Sequence, residues 1–221
     1  MRTVGRLYFY ILALIGAEAI VWGVVALLRT VIRSGVVGAA GQLATGLSAV
    51  LVGLPVFLFH WLIVQRDAAR DEEEHSSRLR AIFLYAARAA FLVPVVYSTL
   101  ALLNRWLALA LGLPVEGSAF GGGQSAADNL IAVAVCLTAF YFFSRVLRQD
   151  DRAALPASYL PETRRLYRYL WTAFGLTIAV AGVQGLLRYL LYLPAGTESA
   201  SPYLLANGLA LTLVGAPLWA W

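Results

Sequence analysis

Two ionisable residues stand inside apolar runs of this sequence, Glu18 and Arg88. An ionised side chain in such a run is costly unless it is paired, hydrogen-bonded or neutralised. Glu18 lies twelve residues after Arg6, about 18 Å along a helix. Arg88 lies eight residues after Arg80, about 12 Å along its own. If both helices are counted from one membrane face, the two groups come close in depth, and a Glu18–Arg88 contact is expected. Three uses are open for it: an ion pair that fixes helix register, a substrate or proton pathway, or separate residues with Arg88 extended toward the interface. His60 and Tyr10 are secondary candidates, since His60 is expected at a depth where it meets Tyr10 or Arg88. A single His without a second ligand one turn away is expected to be a hydrogen-bonded core residue. His75 follows Asp71, Glu72, Glu73 and Glu74, but neighbours on a helix point in different directions, so a solvated segment is expected there.

The sequence carries no H-E-x-x-H, no G-x-S-x-G and no paired Cys ligands. Gly121–Gly123 lacks the Gly-Lys-Ser/Thr ending of a phosphate loop. No cofactor, no metal and no catalytic set is therefore expected, and the chain does not read as an enzyme. Cys136 stands alone, which excludes an intramolecular disulfide and suits a small core residue.

Composition says what must hold such residues. The 221 residues are 61% hydrophobic and 13% charged, whereas a soluble domain is about half apolar and a quarter charged. All seventeen basic residues are Arg. They flank apolar runs, so the net charge of +5 speaks for membrane topology rather than nucleic acid. Runs longer than eighteen residues mark transmembrane helices. Six are predicted, over about 7–28, 43–64, 81–103, 129–147, 165–187 and 203–221, with the third able to extend to Leu111. Pro55 and Pro94 are expected to kink the second and third. The start resembles a signal peptide with Ala17-Glu18-Ala19 as cleavage site, yet the apolar run continues to Leu28, so no cleavage is expected.

The chain repeats itself. Arg6–Arg29 and Arg165–Arg188 align without a gap, with eleven of twenty-four positions identical. The following helices match as well: Gly46 with Gly208, and Gly53-Leu54-Pro55 with Gly215-Ala216-Pro217. The offset is 159 residues in the first helix and 162 in the second. Helices three and four resemble a diverged copy of the same hairpin. Residues 1–152 are read as the first membrane repeat and 153–221 as the start of a second, which is still running at Trp221 and is expected to continue. Copies with an even number of helices have parallel orientation, unlike inverted transporter repeats.

Twelve Arg fall on the side of the N-terminus and four on the other, with Arg88 between them, so the N-terminus is expected inside. Tyr8, Tyr10, Tyr167 and Tyr169 stand at inner helix ends, Trp61 and Trp106 near other ends, as in interfacial belts. Gly16 and Gly23 share a small-residue face in the first helix, and Gly175 and Gly182 in the fifth, suiting close helix packing. Glu18 points almost the opposite way, together with Ile11, Leu14, Trp22 and Val25. If it needs a partner from another helix, the first helix must be central and covered on two sides. Thr177 replaces Glu18 in the second copy.

The R-x-Y-x-Y start, the spaced glycines, Leu-Leu-Arg, and Val-Gly-x-Pro followed by His60-Trp61 resemble a bacterial family of polytopic membrane domains, catalogued only as a domain of unknown function and present as tandem copies. The resemblance covers about Arg6–Leu111 and restarts at Arg165. It implies an all-α, multi-pass protein of the bacterial cytoplasmic (inner) membrane, and brings no activity or ligand. The function expected from the residues is a structural, sensory or assembly module that binds lipid, a membrane-protein partner or a second copy of itself. The alternative is a transporter or channel subunit using Glu18 in the membrane.

Overall fold

A computed structural model describes residues 3–33, 39–70, 77–121, 123–153, 159–195 and 201–220. The acidic run around His75, and Gly122, lie outside them. Among the described residues six α-helices follow in order: α1 Thr3–Ile32, α2 Ala39–Arg70, α3 Arg78–Ala110, α4 Ala126–Ala153, α5 Leu160–Tyr192 and α6 Pro202–Ala220. Short 3₁₀ turns at Val115–Gly117 and Leu193–Ala195 follow α3 and α5. All six helices are long and apolar enough to cross a membrane. Five of them extend beyond the apolar runs that predict them, because intrahelical bonding continues through flanking polar turns. Pro55 and Pro94 are accommodated inside continuous helices.

Large side chains such as Leu51, Val52, Leu62, Leu170 and Leu191 are exposed. An apolar exterior on helices that satisfy their own backbone is what a bilayer requires. The chain is thus a polytopic α-helical membrane protein.

Two compact units are present, Met1–Leu92 with Ala134–Arg165, and Val93–Val133 with Leu166–Trp221. They cut across the sequence repeats, since α3 and α4 contribute to both. In the first unit α1 packs on α2 through glycines. A Cβ built on Gly16 would lie 2.7 Å from the Phe57 backbone nitrogen, and one on Gly23 2.9 Å from the Gly46 carbonyl oxygen. The backbones therefore touch, and only hydrogen fits between them. Behind this hairpin Phe91 stacks on Phe143 with centroids 5.6 Å apart, and Trp61 meets Phe143 edge-on at 5.8 Å.

In the second unit α5 and α6 repeat the close approach. Cβ atoms on Gly175 and Gly182 would lie 2.5 Å from the Trp219 nitrogen and 2.6 Å from the Thr212 nitrogen. Asn104 Nδ2 donates to Asn207 Oδ1 between α3 and α6. The Tyr203 hydroxyl donates to the Pro114 carbonyl at 2.7 Å. A Ser125/Asp128 capping box opens α4: Ser125 N donates to Asp128 Oδ2 at 2.8 Å, and Asp128 N to Ser125 Oγ at 3.1 Å.

Candidate functional site

Glu18 is half-buried on α1. Its Oε2 accepts a hydrogen bond from Trp22 Nε1 at 2.8 Å. The Arg88 guanidinium lies over the Phe140 ring, 5.0 Å from its centroid, and 5.8 Å from that of Tyr85. The expected Glu18–Arg88 contact is thus replaced by two arrangements, an i,i+4 hydrogen bond along one helix and a cation–π contact to α4. Depth along the axis is similar for the two residues, but depth does not set which way a helix is rotated. Nor is α1 covered on two sides, because Ile11, Ile15 and Trp22 leave 48%, 55% and 41% of their surface exposed along one strip. A Gln at position 18 can still accept from Trp22. Glu18→Gln is therefore expected to leave the thermal unfolding midpoint of the purified protein within the scatter of repeats, about 0.5 kcal/mol or less. A large drop would restore an inter-helix role for the carboxylate.

His60 is buried, and its Nδ1 donates to the Val56 carbonyl at 2.7 Å. Its ring packs with Tyr8 and Phe9 at 5.9 and 5.5 Å. Tyr10 is also buried, but against Phe83 at 4.6 Å, and it interacts with the Arg80 side chain. No group of three His, Cys, Asp or Glu placed to hold a metal occurs among the described residues.

The strongest polar constellation is one that hydropathy conceals. Arg80 at the start of α3 is 2% exposed and Asp150 near the end of α4 is 3% exposed. Arg80 Nε donates to Asp150 Oδ2 and Nη2 donates to Oδ1 at 3.0 Å, a two-pronged pair. Nη2 also donates to Gln65 Oε1 at 2.8 Å, which draws in α2. Nearby, Arg164 Nε donates to the Tyr85 hydroxyl at 3.3 Å and its Nη2 to Asp151 at 2.6 Å. In the sequence Arg80 and Asp150 read as loop charges beyond the apolar runs. The available signal was their opposite sign just beyond those ends of two consecutive predicted helices that lie on the side of the N-terminus.

Elsewhere in the first unit, α1, α2, α3 and α4 line an open apolar groove of ≈ 450 Å³. Ala17, Ile20, Val21 and Val24 form one wall, Phe57 one end, and Val135 and Ala139 belong to the other wall. Thr138 also lines it, but its hydroxyl donates back to the Ala134 carbonyl at 2.9 Å. The walls therefore offer dispersion contacts and almost no hydrogen bonds. Glu18 is not among the lining residues.

Six membrane-length helices among the described residues, with an apolar groove in the first unit, define a multi-pass membrane protein. The chain belongs to the family described as Domain of unknown function (DUF5671), whose model matches residues 6–139 and again 165–221. Comparison with curated proteins finds no match, and comparison with solved structures finds none.

Proposed function

We propose that this protein is a structural or assembly module of the membrane that works by holding an apolar partner, a bilayer lipid or a neighbouring membrane helix, and does not catalyse a reaction. The observation that carries the reading is the groove between Ala17–Val24 and α4, whose lining turns its one hydroxyl back to the backbone. Such a cleft rewards acyl or aliphatic surface and penalises polar cargo. A transport pathway for protons or ions needs polar groups along its length, and Glu18 sits beside Trp22 outside this lining.

Ala139 lines the groove and is only partly buried. Filling the space with Ala139→Phe is expected to remove one retained phospholipid per chain, counted by native mass spectrometry of the detergent-purified protein. Equal retention in the wild type and the variant rejects a lipid as the occupant and leaves a neighbouring membrane helix. Ion or proton flux in liposomes that Glu18→Gln abolishes would replace it with transport. The arginine bias supports a bacterial inner membrane with the N-terminus cytoplasmic. A periplasm-dependent reporter fused after Gly117 is then expected to be active, and one fused after Gln149 inactive.

A further inference from the structure

The groove of the first unit has a counterpart. In the second unit α5 and α6 line a cleft of ≈ 440 Å³ with Leu176, Ala179, Val180, Val183 and Trp219. These are not scattered positions. Leu176, Ala179, Val180 and Val183 are Ala17, Ile20, Val21 and Val24 displaced by the 159-residue offset of the repeat, and Trp219 is Phe57 displaced by 162. The cause is visible in the hairpins. Gly16 brings the Phe57 backbone against α1, and Gly175 brings the Trp219 backbone against α5. Each contact places an aromatic side chain beside the same four-residue stripe.

We propose that the second cleft is a further lipid site, and that each copy of the hairpin holds one acyl chain of a bilayer glycerophospholipid with its phosphate toward a repeated arginine. The proposal rests on the lipid form of the groove reading given above. Three observations favour a phospholipid. First, the hydroxyls in the walls are occupied: the Thr212 hydroxyl donates to the Gly208 carbonyl at 2.8 Å, as Thr138 does to Ala134. Second, Arg29 stands five residues beyond Val24 and Arg188 five beyond Val183, about 7.5 Å along the axis at the same end of both clefts. Five residues turn each arginine about 140° from the lining valine, so its long side chain reaches a phosphate above the buried chain by bending over the cleft mouth. Third, Gln184 lines the second cleft on the Arg188 side, where its amide can meet ester or phosphate oxygens.

The test is native mass spectrometry of the full chain, delipidated in detergent and titrated with phosphatidylglycerol. The wild type is expected to bind two, and Ala139→Phe, Val180→Phe and Val183→Trp one each. Val180 and Val183 are 57% and 45% exposed, so bulk is tolerated there and two variants guard against an idiosyncratic failure. Arg188→Gln is expected to weaken the second site about fivefold. A single bound lipid that only Ala139→Phe removes overturns the second site and leaves the first groove standing. No bound lipid in the wild type overturns both. Two lipids that survive Val180→Phe and Val183→Trp overturn the assignment to this cleft. A dimer mass that both variants abolish would assign the cleft to a helix of a second copy instead.

Discussion

Asp150→Ala is expected to destabilise the protein by about 3–5 kcal/mol, the cost of leaving a buried charge without its partner. The reason is geometric. The Arg80–Asp150 side chains are 2% and 4% exposed, so water cannot take the place of the lost carboxylate. Gln65 Oε1 remains as an acceptor for Nη2, but a neutral amide compensates the charge only in part. Arg80→Met combined with Asp150→Leu is expected to recover most or all of the loss, since replacing both charges by apolar groups removes the desolvation penalty. Thermal unfolding in detergent, followed by size-exclusion chromatography, reads both effects. If the single and double variants are equally unstable, the pair contributes geometry rather than charge compensation. If Asp150→Ala is neutral, the pair is not buried in the membrane-embedded protein.

The second large effect concerns the hairpins. Gly16→Ala is expected to cost about 1–3 kcal/mol, because the added methyl group would meet backbone atoms of Phe57 that no rotamer change can move. Gly175→Ala should behave alike, with the Trp219 backbone in the way. Gly41→Ala gives the opposite sign. Nothing lies within 4 Å of a Cβ at Gly41, and alanine is favoured in a helix by up to about 1 kcal/mol. Opposite signs at Gly16 and Gly41 in the same unfolding assay would establish that packing, not helix propensity, selects glycine at the repeat positions. Equal effects would reject that account. The first cleft would change with Gly16→Ala and the second with Gly175→Ala, since these glycines set where Phe57 and Trp219 stand.

Much of the helical architecture is legible in the chain itself. A segment that crosses a hydrocarbon layer must be apolar over about 20 residues, so six spans can be counted without knowing how they pack. The repeat is equally readable, and the glycines at 16, 23, 175 and 182 announce close approach because small residues are what lets helix backbones touch in lipid. The candidate site was legible only in fragments. Glu18 is an evident anomaly, and its own face includes Trp22 four residues on, which is the partner it takes. Arg80 and Asp150 pass as loop charges, because hydropathy averages over a window and does not see that α3 and α4 extend past their apolar cores.

What remained for the tertiary structure was azimuth. Rise per residue places Glu18 and Arg88 at similar depth, but the rotation of each helix about its axis turns Arg88 onto Phe140 and leaves Glu18 with Trp22. Rotation is decided by many weak packing contacts acting together, here Phe143 with Phe91 of α3 and with Trp61 of the glycine-spaced hairpin, and no single residue type encodes it. The same holds for the two grooves. Each residue in them is an ordinary apolar residue of a membrane helix. The sites arise only because backbone contact at Gly16 and Gly175 sets an aromatic ring across from one stripe in both copies.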